Sequence, residues 1–197
     1  MVNKVYLFDL DSTLTKEELL PRIAKLNNTH DELRELTRSA MIGKIDFQES
    51  FRKRVSILAD IPLEQVQECV RTVPLLEKIM EWIKSHISST VVVTGNLDVW
   101  VETLLEEHNL RSYTSKAHIR NSRVEIEQVL DKVSVIRDYK EDYTIFVGDG
   151  SNDVSLMSLT NVGILTEIVN EAPSQLWDVA KYAVKDEETL CRLLSRL

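Results

Sequence analysis

Carboxylate, hydroxyl and ammonium side chains follow three short apolar runs of the sequence. The first run ends in Asp9-Leu10-Asp11-Ser12-Thr13, the second in Thr94-Gly95-Asn96 and the third in Gly148-Asp149-Gly150-Ser151-Asn152-Asp153. Lys132 opens the helical pattern that precedes the third run. In an open parallel sheet, ligands bind beyond the carboxyl ends of the strands, so we expect these side chains to meet at one site.

The types of these residues indicate a phosphate site. The carboxylates of Asp9, Asp11 and Asp149 would raise one another's pKa if they converged without a cation between them. A hard ion such as Mg²⁺ removes this conflict, because it prefers oxygen ligands and accepts a phosphate oxygen as well. The hydroxyl of Thr94, the ammonium of Lys132 and nearby backbone N–H groups would surround an anion with several exposed oxygens, as a phosphoryl group has.

The spacing of the first two acids suggests separate roles for them. Asp9 can attack phosphorus and form an aspartyl phosphate. Asp11 stands on the same side of an extended chain, so it can protonate the leaving alcohol and later deprotonate the attacking water. Taken singly, each motif is common as a turn, a cap or a solvated helix residue. Their joint order at the ends of predicted strands favours catalysis.

The runs that carry these residues have the composition of strands buried on both faces. They are β-branched and aromatic, and they cover residues 5–8, 90–93, 144–147 and 162–165. Helical patterns alternate with them at 75–86, 99–108 and 133–139. Such alternation predicts a parallel sheet with right-handed crossovers. We therefore expect an α/β fold with a Rossmann-like three-layer core and a mainly parallel sheet.

Residues 16–74 break this alternation, because they contain helical signals and no strand signal. Capping boxes begin at Thr29 and Asp46, and prolines typical of helix starts stand at Pro62 and Pro74. We expect a small helical cap domain over residues 16–74, inserted after the first strand. The core domain would then comprise residues 1–15 and 75–197.

Two further features are expected near this cap. Its movement would admit substrate and exclude water, with hinges near residues 15–18 and 73–76. Residues 117–119 and 124–126 can form a β-hairpin, although the turn between them has no glycine.

The overall composition excludes several classes of protein. With 43% hydrophobic and 28% charged residues among 197, the chain is globular and neither disordered nor collagen-like. A net charge of −8 argues against a nucleic acid as partner. No apolar stretch suits a signal peptide or a membrane helix, and Cys69 and Cys191 lie outside any metal or disulfide motif. We expect a cytoplasmic protein with small ligands, reduced thiols and no membrane association.

In this order, the motifs resemble those of the haloacid dehalogenase superfamily of phosphatases. That family carries DxDx[TS], a strand-end Ser or Thr, a Lys and then GDxxxD, which correspond here to residues 9–13, Thr94, Lys132 and 148–153. The phosphoserine phosphatase branch is the most similar. Its DxDSTL, a following acid and the cap phrase GKxxFxxSxxxRV are matched by residues 9–14, Glu18 and 43–55. The resemblance covers nearly the whole chain.

The resemblance implies roles for the residues of the core motifs. Asp9 would be the nucleophile and Asp11 the general acid and base. Mg²⁺ would be held by the Asp9 carboxylate, the Asp11 backbone carbonyl and Asp149. Thr94 and Lys132 would clamp the phosphate. A substrate contact and a brace behind the metal ligands would be supplied by Asn152 and Asp153.

The resemblance also implies how the remainder of a substrate would be recognised. Glu18 matches the acid that meets a substrate amine. The cap residues that close over the carboxylate and backbone of the substrate are matched by Arg54, Met41 and Phe47. Arg54 has support from the residues alone, because it lies on an apolar helix stripe. An arginine there either extends past its neighbours or pairs with an acid, or it faces an enclosed anion, and the predicted phosphate site below the cap favours the anion. The predicted substrate contacts are completed by Gly95 and Asn96.

One departure from the family pattern leaves the substrate open. Phosphoserine phosphatases usually continue the second strand as SGGF, whereas residues 94–97 here read TGNL, so Asn96 would narrow the pocket or contact a different substrate. The resemblance implies hydrolysis of O-phosphoserine in serine biosynthesis, by a monomer or homodimer. The alternatives are a phosphatase or phosphotransferase for another small phosphorylated metabolite, and a binding relative whose catalysis is vestigial.

Overall fold

The structure, a computed structural model, describes residues 3–41 and 45–197, except for the side chains of residues 38–41 and 47. Its centre is a seven-stranded sheet. The strands are β1 (Lys4–Phe8), β2 (Thr90–Leu97), β3 (Arg111–Arg120), β4 (Arg123–Gln128), β5 (Tyr143–Gly148), β6 (Val162–Thr166) and β7 (Tyr182–Val184). Their order is β4-β3-β2-β1-β5-β6-β7, and every neighbouring pair except β3–β4 is parallel.

Helices cover both faces of this sheet. They are α1 (Leu19–Ala24), α2 (His30–Met41), α3 (Phe47–Leu58), α4 (Leu63–Arg71), α5 (Glu77–Ser85), α6 (Asp98–Glu107), α7 (Val154–Met157), α8 (Ser174–Val179) and α9 (Glu187–Leu194). Along β1, Tyr6 and Phe8 join the apolar cluster of α5 and α9, whereas Val5 and Leu7 join that of α7 and α8. The expected three-layer α/β fold is therefore confirmed. No helix in the described ranges is long and apolar enough to cross a bilayer.

Four of these helices, α1 to α4, follow one another between β1 and α5. α2 begins directly after Thr29 and α4 directly after Pro62. α3 begins after Asp46, whose side chain accepts hydrogen bonds from the N–H groups of Gln48 and Glu49. The buried apolar residues of the four helices belong to the cluster that contains Tyr6 and Phe8, so they share one core with the sheet.

The chain enters and leaves this helical region through two segments that are hydrogen-bonded to each other. The N–H of Lys16 donates to the carbonyl of Pro74 at 2.7 Å, and the N–H of Leu76 donates to the carbonyl of Leu14 at 2.8 Å. Because this pairing engages the backbone after Pro74, α5 begins only at Glu77, later than the sequence predicts.

The predicted hairpin is formed by β3 and β4. Its turn residues Asn121 and Ser122 have φ angles of 51° and 62°. Both lie in the left-handed region that a two-residue hairpin turn requires, so the turn forms without glycine. The N–H of Val124 donates to the carbonyl of Ala59 at 3.0 Å, which ties the hairpin to the end of α3.

Three elements differ from the sequence prediction. The first half of β3 reads RSYTSK, which lacks an apolar run, yet its backbone pairs with the buried strand β2. The short strand β7 pairs with β6 in the same way. The segment predicted as a helix at 133–139 lies within a 3₁₀ helix (Lys132–Tyr139), in which the N–H of Ser134 donates to the carbonyl of Asp131.

Candidate active site

The carboxyl ends of β1, β2 and β5 lie side by side at one edge of the sheet. Phe8, the last residue of β1, pairs with Val92 of β2 and Val147 of β5. Asp9 follows β1 at once, and its N–H donates to the carbonyl of Val147 at 2.9 Å. Asp149 follows β5 in the same manner. The parallel register therefore brings these two acids to the same edge.

A tight turn after β1 connects the first motif to the third. The N–H of Thr15 donates to the carbonyl of Leu10 at 3.1 Å, and the hydroxyl of Thr15 accepts from the N–H of Ser12 at 3.0 Å. Ser12 has a φ of 55° at the tip of this turn. The hydroxyl of Thr13 donates to Asp149 Oδ1 at 3.3 Å, so the turn orients the acid that follows β5.

Three buried acids surround one point at this edge. Asp9, Asp149 and Asp153 each place a carboxylate oxygen within 4.8 Å of the others. The ammonium of Lys132 lies between two of them, 2.6 Å from Asp9 Oδ1 and 2.6 Å from Asp153 Oδ1. All four side chains are buried.

Asp153 uses both of its oxygens within the protein. Oδ1 accepts from Lys132, and Oδ2 accepts from the N–H of Gly150 at 3.0 Å. Gly148 permits this arrangement, because a Cβ there would lie 2.5 Å from Asp153 Oδ2, closer than real Cβ contacts come. This geometry is that of a side chain that braces the loop and the lysine.

Burial governs the protonation of the acids. It raises the pKa of Asp9 to about 7, with the Asp153 charge adding to the rise and Lys132 opposing it. It raises the pKa of Asp149 to about 9, again with a contribution from Asp9. Burial by itself would lower the pKa of Lys132, but the Asp153 and Asp9 carboxylates raise it above its ordinary value. The cluster therefore has less positive charge than its carboxylates require.

The donor set of the cluster fits a hard divalent cation. Asp9 and Asp149 present carboxylate oxygens in a buried setting, and one ammonium does not balance three carboxylates. Oxygen donors of this kind are the ligands that Mg²⁺ and Ca²⁺ prefer. Among the described residues, the cluster includes no histidine or cysteine, the ligands typical of structural zinc sites.

Asp11 is held from two sides. Its Oδ1 accepts from the N–H of Leu19 at the start of α1, at 2.7 Å, and its Oδ2 accepts from Nδ2 of Asn96 at the end of β2. Burial raises the pKa of Asp11 to about 7, with the Glu18 charge adding to the rise and the two hydrogen bonds opposing it. A carboxyl group with this pKa can both donate and accept a proton near neutral pH.

Glu18 is oriented by Ser12, which belongs to the first motif, and by Asn170, which was not predicted to belong to the site. The hydroxyl of Ser12 donates to Glu18 Oε1 at 3.1 Å. Nδ2 of Asn170 donates to the Ser12 hydroxyl at 2.8 Å and to Glu18 Oε1 at 3.4 Å. Burial raises the pKa of Glu18, and the Asp9 charge adds to this rise. A signal for Asn170 exists, because it follows the fourth apolar run, whose carboxyl end lies at the same edge.

Arg54 brings a buried cation to the site from α3. Its side chain is buried, and Nη1 donates to the Thr37 hydroxyl at a long 3.4 Å. Nε is buried without a hydrogen-bond partner among the described residues. Burial lowers the pKa of Arg54, and the charges of Glu18 and Asp11 oppose this decrease. A buried guanidinium with an unsatisfied donor is suited to binding an anion that enters the site.

Most of the predicted site residues line one cavity of about 80 Å³. Eight of them line it: Asp9, Asp11, Glu18, Arg54, Gly95, Asn96, Asp149 and Asn152. Apolar lining that the sequence analysis did not assign comes from Leu20 and Phe51.

The other predicted residues are placed differently. Lys132 and Asp153 are buried next to the cavity, behind Asp9. The hydroxyl of Thr94 is buried and accepts two hydrogen bonds from Asn96, from its N–H and from Nδ2, both at 3.1 Å. The side chains predicted to close over the substrate from the cap, those of Met41 and Phe47, lie outside the described part of the structure.

Comparisons with known proteins agree on one family. A family model described as haloacid dehalogenase-like hydrolase matches residues 6–158. The phosphoserine phosphatase of Methanocaldococcus jannaschii is 30% identical over 177 residues, which cover 82% of this chain and 84% of that protein. The phosphoserine phosphatase of Archaeoglobus fulgidus is 26% identical over 200 residues, or 93% of this chain and 57% of that protein. The chain thus spans somewhat more than half of the second relative.

A solved structure extends the similarity to the fold. It is described as a phospho-aspartyl intermediate analogue of phosphoserine phosphatase, and it matches this chain with a TM-score of 0.79 at 26% identity. The match covers 98% of this chain and 99% of that one. The likeness therefore includes both the sheet and the helices α1 to α4.

Proposed function

Since the chain belongs to the haloacid dehalogenase-like hydrolase family, we propose that it is a phosphatase that hydrolyses O-phosphoserine to serine and phosphate with a bound divalent ion. The resemblance seen in the sequence and the expected phosphatase class are confirmed by the family match and by relatives named phosphoserine phosphatase. The observation that carries the proposed substrate is that Asp9, Glu18 and Arg54 line the same cavity. Nε of Arg54 has no hydrogen-bond partner among the described residues.

Asp9 is the proposed nucleophile. Its carboxylate attacks phosphorus, the bond from phosphorus to the serine oxygen breaks, and an aspartyl phosphate forms. The hydrogen bond from Lys132 fixes the orientation of the attacking carboxylate. We propose Mg²⁺ as the ion. The carboxylates of Asp9 and Asp149 and the backbone carbonyl of Asp11 would hold it, and it would supply positive charge that stabilises the phosphoryl group.

Asp11 is the proposed general acid and base. In the first step it gives its proton to the departing serine oxygen. In the second step it takes a proton from water, whose oxygen attacks phosphorus and breaks the bond to Asp9. Phosphate leaves, and both acids return to their initial states. A pKa of about 7 suits Asp11 for these opposite transfers.

The phosphoryl oxygens need donors around the attack site. We propose that Lys132 and Thr94 clamp them, that Asn152 makes a further contact, and that Asp153 braces Lys132. The support is that Asn152 lines the cavity and that Lys132 lies against Asp9. Binding at Thr94 would require its hydroxyl to donate to the phosphate, which is compatible with the two bonds it accepts from Asn96.

The amino-acid part of the substrate would be recognised by charge. We propose that Glu18 meets the ammonium group and that Arg54 meets the carboxylate, with Met41 and Phe47 closing over them and Gly95 and Asn96 forming the opposite wall. Two groups of opposite charge in one cavity match a substrate that itself carries both charges. A planar guanidinium binds a carboxylate with two parallel hydrogen bonds.

The placement of the helices supports a cap that closes over the substrate. We propose that residues 16–74 form this cap and that residues 1–15 and 75–197 form the core. α1 and α3 supply Leu20, Phe51 and Arg54 to the cavity wall. Closure would exclude water while Asp9 attacks, and opening would release serine.

The cellular setting is a proposal that rests on composition and on the substrate. Cys69 and Cys191 are free thiols, which suits a reducing compartment. We propose a cytoplasmic enzyme of serine biosynthesis that acts as a monomer or homodimer on a small phosphorylated amino acid.

Phosphate release from a panel of phosphorylated metabolites tests the proposed function. O-phosphoserine should give the highest kcat/KM in the presence of Mg²⁺, and the Asp9→Asn variant should release no phosphate. Mass spectrometry after borohydride trapping should locate the intermediate on Asp9. A different ester with the highest kcat/KM would overturn the substrate, and the absence of any hydrolysis would favour a vestigial relative. Transfer of the phosphoryl group to an added alcohol would favour a phosphotransferase.

A further inference from the structure

Asn96 occupies a position with an unusual set of hydrogen bonds. It follows the buried run of β2, and it is 3% exposed although it lines the cavity. Its Nδ2 donates to Asp11 Oδ2 and to the Thr94 hydroxyl. An amide nitrogen has two hydrogens, and these two bonds use both of them.

This accounting limits what Asn96 can do to a substrate. With both amide hydrogens engaged by protein groups, Nδ2 has no hydrogen left to donate to a phosphate or a carboxylate. In its ionised form Asp11 only accepts hydrogen bonds and would repel the amide oxygen of Asn96, so this form favours the orientation in which the amide nitrogen faces Asp11. Asn96 therefore acts on Asp11 rather than on the substrate as a donor.

The second partner of Asp11 comes from a different part of the molecule. The N–H of Leu19 holds Oδ1 from the start of α1, whereas Asn96 holds Oδ2 from the end of β2. Two bonds to the two oxygens fix the plane of the carboxyl group. A carboxylate has about four lone-pair positions, so two such bonds leave room for the proton that Asp11 must transfer.

We propose that Asn96 is a positioning residue that aims the general acid Asp11 at the leaving oxygen of the substrate. The proposal rests on the proposed function, because it requires that Asp11 protonate a leaving group. This role is additional to the expectation from the sequence, in which Asn96 narrows the pocket or contacts a different substrate. Loss of the amide donor of Asn96 should lower kcat/KM most for substrates whose leaving group needs a proton from Asp11.

A series of substituted phenyl phosphates provides the test, because the need for general acid catalysis falls as the leaving phenol becomes more acidic. In Asn96→Ala and Asn96→Leu, kcat/KM for phenyl phosphate and for O-phosphoserine should fall by about 10- to 100-fold. For p-nitrophenyl phosphate it should fall less than about threefold, since its leaving group departs without a proton. Asn96→Leu retains most of the side-chain volume and lacks the donor, so its loss should equal that of Asn96→Ala.

Three controls separate the possible explanations. Asp11→Asn should show the steepest dependence on the leaving group, and adding Asn96→Ala to it should cause no further loss. Asn161→Ala removes a carboxamide that accepts hydrogen bonds from Thr144 at the amino ends of β5 and β6, away from the site. The dependence of its kcat/KM on the leaving group should match that of the unaltered protein. Circular dichroism and melting curves verify folding of each variant.

Several outcomes would overturn the positioning role. An equal loss for every phenyl phosphate would indicate damage to Asp9 or to the phosphate site instead. Retention of the unaltered profile by Asn96→Leu would indicate that bulk is what matters. If the unaltered protein hydrolyses no ester at all, the proposed function fails, whereas parallel profiles in an active enzyme reject only the role of Asn96.

Discussion

The ammonium of Lys132 lies 2.6 Å from a carboxylate oxygen of Asp9, and both side chains are buried. The two residues are 123 positions apart in the sequence. In water such a pair contributes little, but in a buried setting each charge needs its partner. The pairing therefore has consequences for stability as well as for phosphate binding.

Removal of the ammonium should destabilise the protein strongly. Lys132→Met leaves Asp9 and Asp153 as buried carboxylates without their cation, and breaking a buried pair in this way typically costs about 3 to 5 kcal/mol. Urea denaturation of the metal-free protein measures the loss. The matched control is Lys185→Met. Lys185 pairs with Glu167, but its own side chain is 73% exposed, so that variant should unfold close to the unaltered protein. Equal effects of both substitutions would contradict the importance of burial.

The stability of the metal-free protein should fall as the pH rises. The pKa values of Asp9 and Asp149 in the folded protein are about 7 and about 9, whereas aspartate in an unfolded chain has a pKa of about 4. The folded state therefore binds more protons than the unfolded state between these values, and its stability decreases with pH. At about 1.4 kcal/mol for each unit of pKa, we expect a loss of several kcal/mol between about pH 5 and 8, about 3 kcal/mol from Asp9 and about 4 kcal/mol from Asp149. Urea denaturation after chelation measures it.

Saturating Mg²⁺ should reverse most of this loss, because a bound cation favours the ionised acids. The increase in melting temperature on addition of Mg²⁺ should be larger at pH 8 than at pH 5. Asp149→Asn should flatten the pH dependence of the metal-free protein and weaken the response to Mg²⁺. A metal-free protein that becomes more stable between these pH values would show that the acids are already paired.

Arg54 should contribute to the hydrolysis of substrates that carry a carboxylate and little to that of other esters. Arg54→Ala removes charge-assisted hydrogen bonds worth about 1.5 to 3 kcal/mol, so kcat/KM for O-phosphoserine should fall by about 10- to 100-fold, mainly through KM. Hydrolysis of p-nitrophenyl phosphate, which has no carboxylate, should change little. Arg52→Ala is the matched control, because Arg52 is exposed on the same helix. If Arg54→Ala harms both substrates equally, the proposed contact with the carboxylate is wrong.

Asn170 should influence recognition of the substrate amine through Glu18. Asn170→Ala removes hydrogen bonds to Glu18 and to Ser12, so the Glu18 carboxylate loses part of its orientation. We expect the KM for O-phosphoserine to rise by about two- to fivefold, which corresponds to one hydrogen bond of about 0.5 to 1 kcal/mol. The control is a phosphate ester of similar size without an amine, for which KM should stay constant. A comparable rise for that ester would indicate a wider disturbance of the loop.

The predicted elements follow the strength of their local patterns. Apolar runs identified β1, β2, β5 and β6, because strands buried on both faces need continuous apolar side chains. Two strands were not predicted, namely β7 and the first half of β3. Each is held by backbone pairing with a neighbouring strand, and the local sequence gives no sign of that pairing. The start of α5 was displaced for a related reason, because residues 74–76 pair with the chain after β1.

In the candidate site, too, the residues that belong to local motifs could be predicted and the contacts between distant residues could not. The acids of the first and third motifs could be expected at one edge because they directly follow strands of a parallel sheet. Asn170 was missed, although it follows β6, because nothing in the local sequence indicates the direction of its side chain. Asn96 was predicted to contact the substrate, and it lines the cavity, but nothing in the sequence indicated that its amide is bonded to Asp11 and Thr94.

The sequence by itself determined the fold class, the family and the identity of the acids, because these depend on local apolar patterns and on the order of short motifs. Only the tertiary structure decided which side chains hold one another. Asn96 meets Asp11 across 85 positions, and Asn170 meets Ser12 across 158. Such contacts depend on strand register, loop path and side-chain direction together, and no local segment of the chain contains that information.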